Sequence, residues 1–392
     1  MSETATGFTG REASARALWR LDSGAAYLNH GGFGATPGEV LDARAALADR
    51  IEAAPGPFFT HDYPALLRAA ADAVAAWLGA DGHDLVFVDN ATAAVNAVLR
   101  SFPLRPGDEI LVTTTTYGAV RNTARFAAAA AGARVAEAVL PFAPDDAGAV
   151  VRAVEAAVTP RTRLAVIDHV VSETALVLPV AELAGRLSAR GVAVLVDGAH
   201  APGQVPLAIP AIGADWYAAN LHKWAFAPRS CGVLWAAAQR QEGLVPPVVS
   251  WGWGQGFTAA FDWVGTRDPT PWLAAPAGIA AHTRLGGPRL MAENRRRAAA
   301  AVRMLEEAWG VRAPVVPETM TGAMRLVPLP DDGLAADRAS ADALRRRLWQ
   351  EFRVEVPVLA LEGRLWVRPA AQAYTTPDDV RRLAAAVGRI AR

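Results

Sequence analysis

Seven short apolar runs between residues 85 and 236 alternate with alanine-rich segments of helical periodicity, and this alternation constrains the fold more than any other feature. The runs are LVFVD (85–89), EILVT (109–113), ARVAEAV (133–139), RLAVIDHV (163–170), VAVLVD (192–197), ADWYAAN (214–220) and CGVLWA (231–236). Helices are predicted between several of them, at 91–102, 120–131, 147–158 and 179–190. Strands that are apolar on both faces and joined by helices favour a parallel sheet covered by helices.

The length of the chain and the end of this pattern predict a division into domains. A chain of 392 residues is too long for one hydrophobic core, so at least two lobes are expected. After a stretch rich in Pro and Gly at 243–278, the pattern predicts a helix at about 276–309, strands near 322–328, 353–359 and 364–368, and a closing helix. We therefore predict an N-terminal arm (1–20), a large α/β domain (21–270) and a smaller C-terminal α+β domain (271–392).

Charge and composition exclude several classes of partner. The 39 basic and 39 acidic residues cancel, so bulk charge gives no attraction for nucleic acid or for an anionic membrane. The one cysteine, Cys231, excludes an internal disulfide and a cysteine-based metal site. The first twenty residues are polar and charged, which is unlike a signal peptide. We expect a cytoplasmic protein without metal that binds neither nucleic acid nor membrane.

Lysine is almost absent from the chain. Of the 39 basic residues, only Lys223 is a lysine and the others are arginines. A bias toward arginine removes lysine wherever only positive charge is needed, because either side chain provides it. The same bias keeps a lysine whose neutral amine is needed, since the guanidinium group is hardly ever deprotonated. Lys223 is therefore predicted to take part in chemistry.

Polar residues follow three of the predicted strands. One strand ends in Asp197, one runs through Asn220 to Lys223, and one precedes Thr92 at the start of a helix. Ligands of open α/β sheets bind at the carboxyl ends of the strands. A carboxylate, an amine and a helix N-terminus suit the ring nitrogen, the aldehyde and the phosphate of pyridoxal 5′-phosphate (PLP). The sequence thus predicts a PLP enzyme in which Lys223 forms a Schiff base and Asp197 keeps the ring nitrogen protonated.

Longer segments carry a resemblance to a known family. They include VDNATAAVNAVLRS (88–101), DHVVSETALVLPV (168–180), VDGAHAPGQ (196–204), NLHKWAFAP (220–228) and GTRDPTPWLA (265–274). With these segments the chain resembles PLP-dependent class V aminotransferases of fold type I, and within them the isopenicillin N epimerase-like group. The resemblance implies a PLP-dependent transferase-like fold, with a large, mainly parallel sheet domain covered by helices and a smaller C-terminal α+β domain. It also implies a homodimer with shared active sites.

The resemblance assigns roles to individual positions. It implies that Lys223, Asp197 and His200 are catalytic, with His200 a donor near the phenolic oxygen of the cofactor. Cofactor contacts are implied at Ala91, Thr92, Tyr117, Ser172, Asn220, His222 and Thr266. Among these, Tyr117 would stack on the ring and Thr266 would reach the phosphate of the neighbouring subunit. Arg368 is expected to bind the α-carboxylate of an amino-acid substrate, and His30, Gly31 and His61 are further candidate substrate contacts.

The chain departs from the epimerase-like pattern near the expected substrate. The pattern has Ser where this chain has Asp168, Thr and Gly where it has Glu173 and Ala175, and Arg where it has His61. The segments expected around the cofactor match the pattern. This separation supports catalysis on an amino acid and weakens isopenicillin N itself as the substrate.

Several reactions stay open for such a chain. The leading expectation is epimerisation or racemisation at the Cα of an amino acid or an amino-acid conjugate. β-Elimination of the Cβ–S lyase type and decarboxylation are alternatives, and a non-catalytic binding module with this fold is a remote one. Desulfuration through a protein persulfide is disfavoured, because Cys231 is predicted to be a small core residue rather than a nucleophile on a loop.

A few conspicuous residues have simpler explanations. His169 is predicted to be structural, since it closely follows a strand. The arginine runs at 295–297 and 345–347 are predicted to be solvated helix faces. Trp251 and Trp253 are predicted either to pack in a core or an interface, or to form a wall of the substrate site.

Overall fold

The computed structural model describes residues 7–330, 333 and 335–390, so the first six residues of the predicted arm and the last two of the predicted small domain lie outside the described residues. The strands are β1 (Ala26–Tyr27), β2 (Leu85–Val88), β3 (Glu109–Thr113), β4 (Arg134–Ala138), β5 (Thr162–Asp168), β6 (Ala193–Gly198), β7 (Trp216–Asn220), β8 (Gly232–Ala236), β9 (Val327–Pro328), β10 (Val354–Glu355), β11 (Val358–Leu361) and β12 (Arg364–Val367). The α-helices are α1 (Glu12–Arg16), α2 (His30–Phe33), α3 (Gly38–Ala53), α4 (Pro55–Pro57), α5 (Tyr63–Trp77), α6 (Ala91–Ser101), α7 (Gly118–Ala131), α8 (Ala147–Ala157), α9 (Val180–Ser188), α10 (Ile209–Ile212), α11 (Phe257–Asp262), α12 (Thr270–Leu273), α13 (Ala275–Arg284), α14 (Pro288–Trp309), α15 (Arg338–Phe352) and α16 (Pro377–Ile390). Within the described residues, no helix has the length and apolar character needed to cross a membrane.

The seven strands predicted between residues 85 and 236 form one sheet in the order β2-β8-β7-β6-β5-β3-β4. Strands β3 to β7 all run parallel to one another, whereas β8 runs antiparallel to both β7 and β2. Successive side chains of a strand point to opposite faces, so Leu85 and Phe87 enter one buried cluster and Val86 and Val88 another. Helices cover both faces, and the predicted α/β fold class is confirmed.

A smaller lobe contains the C-terminal part of the chain. Strands β11, β12 and β9 form an antiparallel sheet, and β1 from near the start of the chain pairs in parallel with β10. The strand predicted at 353–359 is therefore two strands, divided at Pro357, which has no N–H to donate to a ladder. The helix predicted at 276–309 is likewise divided into α13 and α14. The domain boundaries at residues 20 and 270 stay a prediction.

One arginine run differs from its predicted exposure. The side chain of Arg297 in α14 is only 4% exposed, so the prediction of a fully solvated face at 295–297 was wrong. Its Nε donates to Glu12 at 3.0 Å and its Nη2 donates to Glu293 at 3.2 Å. Because Glu12 belongs to α1, this buried ion pair holds the N-terminal arm against the small lobe.

Glu109 ties together the edge of the large sheet at the amino end of β3. Its buried carboxylate accepts hydrogen bonds from Arg134 Nε at 3.0 Å, Arg161 Nε at 3.1 Å and Thr159 Oγ1 at 2.7 Å. Burial alone would raise the pKa of Glu109, but these donors outweigh it and lower the pKa to about 2. The ionised carboxylate therefore connects β3 with β4 and with the segment that leads into β5.

Replacing Glu109 with glutamine is expected to lower the melting temperature by a few degrees at about pH 7. The pKa is lowered by folding, so the stabilisation is present above the ordinary value of 4.5 and is lost as the pH falls toward about 2. Melting curves of wild type and Glu109→Gln should therefore converge in acid. Glu351→Gln, which removes an exposed partner of Arg347, is the control and should change the melting temperature less. A difference between wild type and Glu109→Gln that stays constant with pH would contradict this role.

Candidate active site

The carboxyl ends of three neighbouring strands bring the predicted chemical groups together. Asp168 ends β5, Asp197 lies in the last two residues of β6, and Asn220 ends β7 three residues before Lys223. Asp168 and Asp197 are direct partners in the parallel register, and Asp197 is the partner of Ala218 on its other side. The geometry follows from the sequence, because parallel strands end at the same edge of a sheet.

The amine of Lys223 lies in a half-buried position beside His200. The distance from Lys223 Nζ to His200 Nε2 is 3.1 Å. Burial lowers the pKa of Lys223 to about 7; the carboxylate of Asp197 opposes this shift and the positive charge of Arg368 adds to it. A large fraction of the amine is therefore neutral near pH 7, as a nucleophile or proton acceptor requires.

Two glycines hold the backbone that carries Lys223. Gly34 and Gly203 adopt φ angles of 68° and 83°, in the left-handed region that favours glycine. A Cβ on Gly34 would lie 2.0 Å from the carbonyl oxygen of His222, and one on Gly203 would lie 2.3 Å from that of Trp224. The two segments thus enclose the loop on either side of the lysine and fix its position.

Asp197 near the end of β6 and His200 in the turn that follows are both buried. Asp197 Oδ1 accepts a hydrogen bond from the amide of Ala199 at 3.0 Å. Burial raises the pKa of Asp197, and the Ala199 amide and the charge of Lys223 act in the opposite direction. Burial together with the charge of Lys223 holds the pKa of His200 well below its usual range, so the imidazole is neutral. Its Nδ1 has no hydrogen-bond partner among the described residues.

The predicted phosphate end of the site is the N-terminus of α6. Asn90 caps the helix by accepting from the amide of Ala93 at 2.9 Å, and Asn220 Oδ1 accepts from the amide of Ala91 at 2.8 Å. Ala91 and Asn220 are both predicted to contact the cofactor, and in the structure the amide of Ala91 and the side-chain oxygen of Asn220 are bonded to each other. Thr92 is left with its hydroxyl and amide in the first turn, where amides lack an intrahelical acceptor.

His222 and Cys231 form a second contact near this end of the sheet. His222 Nδ1 donates to the carbonyl oxygen of Cys231 at 2.8 Å, and burial lowers the pKa of His222 to about 4. The thiol of Cys231 is fully buried, and burial raises its pKa. The prediction that Cys231 is a core residue is confirmed.

Tyr117 and Thr266 face outward from this single chain. Tyr117 stands immediately before α7 with 48% of its surface exposed, so a ring could stack on it. Thr266 is exposed, and its neighbour Arg267 forms an ion pair with Asp89 and lies 4.0 Å from the ring centroid of Trp272. The GTRD segment is thus anchored through Arg267, while Thr266 points to the surface.

Arg368 follows β12 and enters the site from the small lobe. Its buried guanidinium donates from Nη1 to Ser172 Oγ at 3.5 Å, and its Nε has no partner among the described residues. Burial lowers the pKa of Arg368 to about 10, although Glu173 opposes the shift, so the side chain stays charged near neutral pH. Ser172, predicted as a cofactor contact, therefore lies against the predicted carboxylate-binding arginine.

The three further candidate substrate contacts differ in their surroundings. His30 is 0% exposed, with Nδ1 2.8 Å from the hydroxyl of Tyr374, and burial lowers its pKa to about 3. Gly31 is buried so closely against Met324 that a Cβ would lie 2.4 Å from the sulfur. His61 lies exposed in a π-helical turn at Phe58–Asp62. His30 and Gly31 therefore pack against the segment that carries Lys223. For all three residues, contact with a substrate stays a prediction.

The sequence prediction missed two buried groups next to Asp197. Asp168 departs from the family pattern but is not among the predicted site residues. The strand predicted at 163–170 continues past it, so only the structure shows that Asp168 ends β5. Tyr217 of β7 is fully buried, and its hydroxyl lies 2.7 Å from His169 Nδ1. This contact confirms that His169 is structural. Sequence periodicity does not predict such a pair, because the two residues belong to distant segments, His169 after β5 and Tyr217 in β7.

The residues present fit PLP. The strand ends supply a buried carboxylate (Asp197) and an amine with lowered pKa (Lys223), and buried nitrogens of His200 and Arg368 still lack partners. An unpartnered buried polar atom is costly unless a ligand satisfies it. Fold and site together define a PLP-dependent enzyme with a large parallel sheet and a small C-terminal lobe.

Comparison with known proteins agrees with this class. A family model described as Aminotransferase class-V matches residues 27–257, more than half of the chain. The protein belongs to the class V aminotransferase family. Isopenicillin N epimerase of Streptomyces clavuligerus is 36% identical over 391 residues, which cover 95% of this chain and 96% of that protein.

Two further proteins are similar over nearly the whole chain. L-cysteine desulfhydrase of Arabidopsis thaliana is 30% identical over 403 residues, covering 94% of this chain and 88% of that protein. The solved structure of a C-DES mutant with glycine covalently linked to its PLP cofactor superimposes with a TM-score of 0.83. That alignment covers 95% of this chain and 98% of the other at 22% identity, and it supports the fold.

Proposed function

We propose that this PLP enzyme breaks a bond at the Cα of an amino acid or amino-acid conjugate, with epimerisation or racemisation as the leading reaction. When bound, PLP supplies an electron sink for the carbanion that forms at the substrate Cα. The observation that carries the proposal is the amine of Lys223, whose pKa of about 7 suits a group that takes up and returns a proton. The isopenicillin N epimerases of similar length and sequence support this reaction.

Lys223 and its neighbours are assigned different roles in the proposed reaction. Lys223 Nζ holds and moves the proton, and neutral His200 accepts a hydrogen bond from it when the amine is charged. We assign Asp197 to the ring nitrogen, where its buried carboxylate keeps a proton in place. Thr92 and the first turn of α6 are assigned to the phosphate, because a helix N-terminus offers amides and a favourable dipole to an anion.

Arg368 is assigned to the substrate carboxylate. Its guanidinium is charged, buried and only loosely paired with Ser172, so a carboxylate would find both charge and unsatisfied donors. The planar guanidinium group matches a carboxylate through two parallel hydrogen bonds. This arrangement orients an α-amino acid relative to Lys223.

β-Elimination at a Cβ–S bond is the second candidate reaction. It begins with the same proton removal by Lys223, and the similarity to L-cysteine desulfhydrase favours it. The burial of Cys231 argues against a route through a protein persulfide, since a thiol in the core with a raised pKa neither ionises readily nor reaches a ligand.

The enzyme is proposed to work as a homodimer with shared active sites. Trp251 is 85% exposed and Trp253 65% exposed in the single chain, and Val248 and Val249 beside them are also exposed. Exposed aromatic and aliphatic side chains in one segment are typical of a protein interface. The exposed Thr266 lies in the same region of the sequence and would then be available to the partner subunit.

Incubation of the holoenzyme with a panel of amino acids in deuterium oxide tests the proposed reaction. We expect deuterium at Cα together with inversion of configuration, measured by NMR and chiral chromatography. Lys223→Arg keeps the charge without a neutral amine and should lower the exchange rate by about 1000-fold. Release of a keto acid and sulfide would instead establish β-elimination, and release of CO₂ decarboxylation. If fully PLP-loaded protein causes none of these changes, the enzymatic proposal is wrong.

Arg368→Ala is expected to raise the apparent KM for the amino acid roughly 10- to 100-fold, because a charge-assisted contact to the carboxylate is lost. The matching amine without a carboxylate should be a poor substrate of the wild type and should lose nothing further in the variant. Arg364→Ala, at the start of the strand that precedes Arg368, is the control, since Arg364 binds the carbonyl oxygen of Leu329. Equal losses for the amine and the amino acid would make Arg368 a structural residue.

Light scattering of the purified protein should give about twice the chain mass of 41.2 kDa. Replacing Trp251 and Trp253 together by serine should shift the protein toward monomer and reduce its activity. Val315→Ser is the control, because Val315 is exposed on the small lobe and outside that segment. An active monomer at assay concentration would refute the shared active site.

A further inference from the structure

We propose that Asp168 is a positioning residue that remains a neutral acid beside Asp197, so that Asp197 is the single carboxylate anion of the site. The proposal rests on the proposed function of Asp197 toward the cofactor, and it extends that function to a residue on the next strand. It also explains why an acidic residue is tolerated where the epimerase-like pattern has serine.

The register of the sheet places the two carboxyl groups side by side. Asp168 and Asp197 are direct partners on the parallel strands β5 and β6, which run about 4.8 Å apart, and paired residues present their side chains on the same face. Both are almost completely buried, at 3% and 4% exposed. Asp168 Oδ2 has no hydrogen-bond partner among the described residues, so a proton on it would be free to interact with the neighbouring carboxylate.

The surroundings of the pair are not symmetrical. Lys223 interacts with Asp197 and lowers its pKa, in opposition to burial. Burial raises the pKa of Asp168, and the negative charge of Asp197 raises it further, well above its ordinary value. Two neighbouring buried carboxyl groups do not both ionise near neutral pH, because the two negative charges would repel each other. The negative charge therefore stays on Asp197, next to the amine, and the proton stays on Asp168.

The other titratable groups around the pair do not change this assignment. Tyr217 of β7 is neutral because burial raises its pKa, and His169 and His200 are neutral because burial lowers theirs. Arg368 acts on Lys223 and His200 from the small lobe. Lys223 is thus the cation that interacts with the carboxyl pair, and it acts on Asp197.

Asp168 also contacts the segment before α7. The backbone amide of Tyr117 and the hydroxyl of Thr116 both interact with its carboxyl group. A neutral acid can accept from these donors with one oxygen and donate with the other. Asp168 in this way connects the backbone at Tyr117 with Asp197 on the next strand. A serine hydroxyl is likewise neutral and can donate, whereas an aspartate anion only accepts.

Asparagine substitutions at the two positions separate a neutral acid from an anion. Apoprotein of wild type, Asp168→Asn, Asp168→Ala and Asp197→Asn would be titrated with PLP and followed by absorbance and tryptophan fluorescence. Asp168→Asn should keep the dissociation constant within about 3-fold, because the amide is neutral and still donates and accepts. Asp168→Ala should weaken binding about 10-fold, and Asp197→Asn by 10-fold or more. If Asp168→Asn weakens PLP binding as much as Asp197→Asn does, Asp168 is an anion and the proposal fails.

The pH dependence of stability provides a second readout that needs no cofactor. Folding raises the pKa of Asp168, so ionisation of this group opposes folding as the pH rises. As the pH rises from about 5, the melting temperature of the wild-type apoprotein should fall relative to that of Asp168→Asn. A constant difference as the pH rises would overturn the proposal. Failure of the wild type to bind PLP would refute the proposed function instead, and would leave this melting behaviour unchanged.

Discussion

Burial at the carboxyl edge of the large sheet shifts the pKa values of the three ionisable groups on which the proposed chemistry depends. In water, Lys223 would be a cation and Asp168 and Asp197 would both be anions. At this edge, burial lowers the pKa of Lys223 to about 7 and raises those of both carboxyl groups. The chemistry therefore depends on packing: helices on both faces of the sheet, and the small lobe at its edge, keep solvent away from the three strand ends.

The small lobe reaches the site through contacts between distant parts of the chain. The amide of Ala370 donates to Leu28, the amide of Ala371 donates to Ala323, and that of Arg368 donates to Pro357. These bonds connect the first strand, the segment after α14 and the strand end that carries the guanidinium. The backbone around Arg368 is thus held by hydrogen bonds to residues that are far apart in sequence.

The sequence was informative wherever one strand or one helix carried the signal. All seven strands of the large sheet are predicted from their short apolar runs, although β4 also carries the exposed Arg134 and Glu137. Asp197 and Lys223 are predicted as site residues because they follow strands, and ligands of α/β sheets bind at strand ends. The antiparallel direction of β8 was not predicted, as apolar runs carry no mark of direction. The burial of His30 against Tyr374 and of Arg297 against Glu12 depends on partners hundreds of residues away. The hydrogen bond from the amide of Ala91 to Asn220 Oδ1 was also not predicted, and a contact between Asn220 and the cofactor stays a prediction.

The near absence of lysine from the chain has a consequence for labelling experiments. Lys223 is the only side-chain amine in the chain, and Gly34 and Gly203 hold its backbone in one place. Protein produced with isotopically labelled lysine would carry a single labelled side chain, and its resonance would report directly on the environment between Asp197 and His200. Reagents that attach dyes, cross-linkers or supports through lysine would in turn find no such group on the outside of the molecule.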